Sequence, residues 1–259
     1  MVKASQVSVV LLAGGQGSRL GEITAKVPKP LLVVNGRPFI EWVALYLADC
    51  GVRDFVVSVG YLASAFEAWS AVRPFEHEPF PNGMSLRLCV EQVPLGTGGA
   101  VLEALPYLQD YCMIVNGDSL LTHSSSAVFQ AIEGSDGVIV AVRKNDCGRY
   151  GTLECDGDWN LRGFYEKRQG SGWINAGVYL FRSDVLRRFG RSRKQSMEHD
   201  IVPTLLAEGC RIKVVPLPEV GLIDIGTPDS LREAEAFVRT WVVSGCGTSA
   251  MGNKQAGLL

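Results

Sequence analysis

Apolar residues in this chain fall in short runs separated by glycine- and proline-rich breaks. In the first half the runs alternate between strand and helix periods. Val7–Leu12 is a short apolar run interrupted only at Ser8, the pattern of a strand buried on both faces. A loop over Ala13–Gly21 follows, then an Asn35-Gly36 turn and Pro38, whose fixed φ suits a first helical residue. Phe39, Trp42, Val43, Tyr46 and Leu47 recur at helical spacing up to Gly51, a helix stop. Phe55–Val59, Leu86–Val90 and Cys112–Val115 read as strands, Ala63–Val72 as a helix, and Gly98–Leu105 as the opening of another. Residues 73–84 are rich in proline and read as a surface loop.

From about Gly137 strands dominate, at Val138–Arg143, Gly151–Cys155, Leu161–Tyr165 and Ile174–Phe181. Helical patterns return at Ser183–Phe189, Met197–Glu208 and Asp229–Val242, with Ser183 and Ser196 placed to cap the helices they open. Ser244–Leu259 lacks periodicity and reads as a disordered tail. The rhythm predicts an α/β fold, a single Rossmann-like, doubly wound mixed sheet over residues 1–243 whose two halves meet near residue 137.

Composition narrows the function classes. With 47% hydrophobic and 20% charged residues the chain has a soluble globular balance. A formal net charge of −2 provides no global field for nucleic acid or an anionic membrane, so a phosphate ligand has to be held locally. No run approaches the ~18 apolar residues of a membrane span. Lys3 followed by Val7–Ala13 faintly resembles a secretory signal, but the run is short and ends in glycines. The 7 cysteines are odd in number, form no CxxC pair and sit partly in apolar runs, which points to free thiols in a reducing cytoplasm. The 29 glycines exceed the usual ~7%, and their position matters more than their number.

The stretch from Leu11 to Leu20, directly after the first strand, carries the chemistry. Gly14, Gly15 and Gly17 let backbone N–H groups curl around a phosphate, and Arg19 adds a delocalised charge beside them. The glycine order is not that of a Rossmann GxGxxG, and no Gly-Lys-Ser/Thr of a Walker loop follows. Lys29, held between Pro28 and Pro30, is a rigidly presented point charge suited to a phosphate.

Taken together, Leu12-Ala13-Gly14-Gly15, Gly17-Ser18-Arg19-Leu20 and Pro28-Lys29-Pro30-Leu31 resemble the sugar-1-phosphate nucleotidylyltransferases. The resemblance continues through Pro94–Ala100, Asn116-Gly117-Asp118-Ser119, Glu166-Lys167, Asn175–Tyr179 and Ile223–Pro228, and so runs from Val7 to Val238. Ser58-Val59-Gly60-Tyr61, Arg149-Tyr150-Gly151-Thr152 and Ser196–Asp200 bring it nearest to the D-glycero-alpha-D-manno-heptose 1-phosphate guanylyltransferases. Mannose-1-phosphate guanylyltransferases and N-acetylmuramate-1-phosphate uridylyltransferases share most of these landmarks.

The resemblance implies a fold of the nucleotide-diphospho-sugar transferase type, with a nucleotide half of about 1–136 and a sugar half of about 137–243. It implies transfer of a nucleotidyl group from an NTP to a sugar 1-phosphate, with release of pyrophosphate. Leu12, Ala13, Gly14, Gly15, Gly17, Ser18, Gly96, Thr97 and Asn116 would hold the nucleotide; Arg19, Lys29 and Asp118 would act in catalysis. Asp118 and Asp224 would bind Mg²⁺, an ion that takes hard oxygen ligands and few protein contacts. Gly151, Glu166, Lys167 and Asn175 would meet the sugar.

In thymidylyltransferases of the family an amide precedes the second glycine loop and reads the pyrimidine; here Glu91 stands there. An ionised carboxylate only accepts hydrogen bonds. It suits guanine, whose N1–H and 2-amino donors are adjacent, and repels the carbonyls of uracil or thymine. Glu91 therefore favours GTP, leaves CTP open, and yields to Gln92 if the register slips by one. A non-catalytic sensor subunit is disfavoured because Arg19, Lys29, Asp118 and Asp224 are all present. His77, His123 and His199 lack ligand spacing, and Arg187, Arg188, Arg191, Arg193 and Lys194 read as a solvated helix end. Homo-oligomerisation is left open.

Overall fold

A computed structural model describes residues 2–72, 74–122, 126–148, 150–166, 169–217 and 221–243. The first half comprises β1 (Val7–Leu12), the short pair β2 (Val33–Val34) and β3 (Arg37–Pro38), α1 (Phe39–Asp49), β4 (Asp54–Val59), α2 (Ala63–Ala71), β5 (Ser85–Val90), α3 (Gly96–Ala104), β6 (Tyr111–Asn116), β7 (Ser119–Thr122) and α4 (Ser126–Ala131). The second comprises β8 (Gly137–Lys144), β9 (Gly151–Cys155), β10 (Leu161–Glu166), β11 (Gly172–Arg182), α5 (Ser183–Leu186), α6 (Val202–Ala207), β12 (Ile212–Leu217), β13 (Gly221–Asp224) and α7 (Pro228–Val243).

Nine strands form one sheet. Its main path runs β10-β9-β11-β6-β1-β4-β5, with β8 pairing β11 and β12 pairing β8. Strands β6, β1, β4 and β5 are mutually parallel, while β11 runs antiparallel to both β6 and β8. The sheet therefore crosses residue 137 without a break. Its two faces bury separate cores, which explains why β1 reads as a near-continuous apolar run. Val7, Val9 and Leu11 face α1, α2, α4 and α7, whereas Val10 faces α3, α5 and α6. Ser8, fully buried, accepts from the Gln109 N–H at 2.9 Å and donates to Asp54, so its hydroxyl is satisfied inside the sheet. Phe39 and Ile40 open α1 and are wholly buried; each such side chain contributes roughly 1.5–3 kcal/mol.

Several boundaries differ from the periodic reading. Pro38 caps α1 with ψ 137 rather than starting it. Helix α3 begins at Gly96, two residues before the expected start. Ser196 caps the turn after it, accepting from the N–H groups of Glu198 and His199. Ser183 does not cap: it is the first residue of the short α5, and its hydroxyl donates to the Gln109 carbonyl at 2.6 Å. The expected helix over Met197–Glu208 is a π-helical turn, Met197–Ile201, running into α6. β7 and β13 are too short to show a period, and β12 carries Pro216, which its place at the sheet's end tolerates. The tail from Ser244 lies outside the described residues.

Candidate active site

Strand β1 is the switch point of the sheet. Leu12, its last residue, lies beside Ser58 of β4 on one side and Asn116 of β6 on the other. In open α/β sheets such a point opens a crevice at the carboxyl ends of the strands. A cavity of about 680 Å³ occupies that crevice. From the β1 end it is lined by Leu12, Ala13, Gly14, Gly15, Gly17, Ser18 and Arg19; from β5 and the start of α3 by Glu91, Gly96 and Thr97; and from β6 by Asn116 and Asp118, with Lys29 between. Gly60 and Tyr61, absent from the sequence-based site, line it too, as do Gln16 and Gly226, which lie within its glycine motifs. Each follows a strand end or a glycine motif, and only the pairing of the strands brings them to one crevice.

The loop after β1 is anchored at both sides. The Ala13 N–H donates to the Ser58 carbonyl at 2.8 Å, and the Tyr61 N–H donates to the Gly14 carbonyl at 3.3 Å. Gly17 sits at φ +64, a left-handed conformation that opens the turns of Ser18–Ala25. A Cβ on Gly15 would meet no protein atom within 4 Å, so this glycine borders open space.

Lys29 starts a single 3₁₀ turn, Lys29–Leu31, and is 7% exposed. Its ammonium is ion-paired with Asp118, a residue 89 positions away in the chain. The antiparallel pair β7–β13 sets Asp224 opposite Ser119, and the Ile225 N–H donates to the Asp118 carbonyl at 3.0 Å, which brings the second carboxylate alongside. Asp224 accepts from the Gly226 N–H at 3.1 Å and from the Tyr150 hydroxyl at 3.2 Å. A Cβ on Gly226 would stand 2.6 Å from Asp224 Oδ1, 3.3 Å from Lys29 Nζ and 3.8 Å from Arg19 Cζ, so these charges converge on a residue that must be bare. No group of three or more metal-ligating side chains occurs among the described residues. The Asp118–Asp224 pair nevertheless fits Mg²⁺, which is held by one or two carboxylates plus water and substrate phosphates.

Glu91 follows β5 and is oriented by two donors: the Ser58 hydroxyl on Oε1 at 3.1 Å and the Leu95 N–H on Oε2 at 3.0 Å. Each carboxylate oxygen keeps a further lone pair. A side chain on Gly14 would collide with it, the nearest approach being 2.7 Å to Oε1. Gln92 also lines the cavity, but its side chain is exposed.

Two residues expected on the sugar side stand apart from the cavity lining. Gly151 and Asn175 stand on the neighbouring strands β9 and β11, joined through the Ile174–Thr152 pair, and neither lines the cavity. Asn175 Nδ2 donates to the Tyr179 hydroxyl at 2.6 Å, and its Oδ1 accepts from the Gly177 N–H at 3.0 Å. Gly177, at φ +72 in a shifted register of β11, leaves the space taken by the Asn116 side chain. Glu166 ends β10 opposite Gly151. Lys167 lies outside the described residues.

The sequence pattern of the nucleotidyl transferase family matches residues 8–240. The chain belongs to this family. This nucleotidyl transferase is 29% identical to the D-glycero-alpha-D-manno-heptose 1-phosphate guanylyltransferase of Campylobacter jejuni, over 86% of the chain and 96% of the relative. It is 31% identical to a mannose-1-phosphate guanylyltransferase of Mycobacterium tuberculosis, over 90% of the chain but 63% of that longer relative. Among solved structures it superposes on HddC from Yersinia pseudotuberculosis complexed with GMP-PN with a TM-score of 0.76 and 29% identity, over 89% of the chain and 98% of that one.

Proposed function

We propose that this nucleotidyl transferase moves the guanylyl group of GTP onto a sugar 1-phosphate, with D-glycero-alpha-D-manno-heptose 1-phosphate as the acceptor. The observation that carries the reading is Glu91, an acceptor-only group oriented at the cavity wall by Ser58 and Leu95. Two adjacent guanine donors match its remaining lone pairs. The names of the Campylobacter and Mycobacterium relatives support guanylyl transfer, and the former supports the heptose.

In the proposed reaction an oxygen of the sugar phosphate attacks the α-phosphorus of GTP. A new P–O bond forms, the bond from the α-phosphorus to its bridging oxygen breaks, and pyrophosphate leaves with the electron pair. The chain positions and neutralises rather than reacts covalently. Backbone N–H groups of Gly14–Gly17, with Ser18, cradle the triphosphate, and Arg19 offsets charge on the departing pyrophosphate. Lys29 meets the α-phosphate and the attacking phosphate, with its ammonium aimed beforehand by Asp118. Asp118 and Asp224 would hold Mg²⁺, which when bound would neutralise phosphate charge. Asn175, Gly151, Glu166 and Lys167 attend to the sugar.

No helix of the described residues is long and apolar enough to cross a membrane, and the six described cysteines are free thiols. Pyrophosphate release over GTP, UTP, CTP and dTTP, crossed with heptose, mannose and N-acetylmuramate 1-phosphates, tests the assignment. GTP with the heptose is expected to give the highest kcat/KM. Turnover with UTP and not GTP would overturn the role of Glu91, and a preference for mannose 1-phosphate would replace the acceptor.

A further inference from the structure

Two N–H groups in the first turn of α3 are taken by the chain itself. The Gly98 and Gly99 N–H groups donate to the Gln195 carbonyl at 2.9 and 3.0 Å, and the Gln195 N–H donates back to the Leu95 carbonyl at 2.8 Å. The glycines are what let this strap from the second half approach. A Cβ on Gly96 would stand 2.6 Å from the Gln195 carbonyl oxygen, and one on Gly98 3.0 Å from the Ser196 carbonyl carbon.

Beyond the strap, Glu198 divides its two oxygens between the halves. Oε2 accepts from the Thr97 hydroxyl at 3.0 Å and the Ser196 hydroxyl at 2.7 Å; Oε1 accepts from the Tyr179 hydroxyl at 2.8 Å. Thr97 also accepts from the Met197 N–H at 2.9 Å, so its single proton is committed to Glu198. Tyr179 is 1% exposed, and burial together with Glu198 holds its phenol protonated well above the usual range. Its one proton therefore points to Glu198 and its lone pair receives Asn175. An acid present only to complement a helix start would need neither Tyr179 nor Thr97.

We propose that Glu198 is a positioning residue that couples the nucleotide segment at Thr97 to the sugar-side Asn175 through Tyr179, so that the acceptor is aligned against the bound nucleotide. The inference rests on the reading of the site as a sugar-1-phosphate nucleotidyltransferase. Its role is alignment of the second substrate, so nucleotide affinity and acceptor use separate when it is removed.

The test is steady-state kinetics of the full chain with GTP and the best acceptor, alongside GTP binding by calorimetry without acceptor and thermal unfolding. For Glu198→Gln we expect kcat to fall on the order of ten- to a hundredfold and the acceptor KM to rise, since small misalignments carry such costs. GTP affinity should stay within about twofold. Tyr179→Phe should reproduce the loss, and the double variant should be little worse than either single, because both break one link. If Glu198→Gln does not fold, Tyr179→Phe alone reads the same link, because it removes the only proton Tyr179 gives to Glu198. Three results overturn the coupling: kinetics within twofold of wild type, additive losses in the double variant, or a parallel drop in GTP affinity and melting temperature. A wild-type chain that releases no pyrophosphate with any substrate pair overturns the reading of the site itself, and the coupling with it.

Discussion

The two glycine-rich segments at the cavity, Ala13–Gly17 and Gly96–Gly99, look alike in composition and do opposite things. In the first, Gly15 borders open space, Gly14 makes room for the Glu91 carboxylate, and Gly17 supplies a left-handed turn. In the second, the space freed by the missing side chains is filled by the chain itself, from Arg193 to Ser196. The first segment leaves open space at Gly15; the second joins α3 to the strap from the second half of the chain. A glycine permits close approach, and the tertiary partner decides what approaches.

The largest effect is expected at Lys29, whose Cβ lies 3.3 Å from the position a Cβ on Gly17 would take. If the first segment is the phosphate site, Lys29→Ala should lower kcat by roughly 10²–10³, the usual cost of losing one preorganised donor to transition-state charge. Asp118→Asn should do likewise. Asp118 is 31% exposed at its side chain, so water can solvate it when Lys29 is removed and the fold should survive. Pyrophosphate release together with circular dichroism checks both; near-normal rates would refute the site.

Gly99→Ala comes next. Its new methyl would press on the Arg193 carbonyl and stand 2.8 Å from Leu95 Cβ, so urea unfolding should register a loss of about 1–3 kcal/mol. An unchanged midpoint would mean that the strap yields freely. Glu91→Gln should then reduce kcat/KM for GTP about tenfold while sparing UTP, because an amide N–H would face a guanine donor in place of an acceptor. A parallel loss for every nucleotide would assign Glu91 to loop support through Leu95 alone. The smallest effect belongs to Gly15→Ala. It should leave stability within about 0.5 kcal/mol and weaken GTP binding roughly threefold, or about 0.7 kcal/mol, as measured by calorimetry. Gly15→Ala should therefore lose ligand affinity and keep stability, whereas Gly99→Ala should lose stability.

Much of the frame was legible in local pattern. The bounds of β1 and β9 coincide with their apolar runs, and β4, β5, β6 and β8 extend theirs by a residue or two. β7 and β13, four residues each, were not legible, because four positions cannot establish a period. That pair sets Asp224 opposite Ser119 and so next to Asp118. Tyr150 on Asp224 and Glu198 on Tyr179 were likewise out of reach, since a hydrogen bond between distant residues leaves no trace in spacing.

The alternation of strands and helices, the glycine loop directly after the first strand, and a lysine stiffened by prolines on both sides can all be read from local sequence. These depend on neighbours within a few positions, where φ restriction and side-chain period act. Which strands flank β1, hence which loop ends share the crevice, and which glycines border open space and which face the chain, are set by the tertiary structure. Strand order and the docking of the strap on α3 follow from contacts between residues far apart in the chain. The free energy of those contacts comes from burying both faces of one sheet, a property no local window contains.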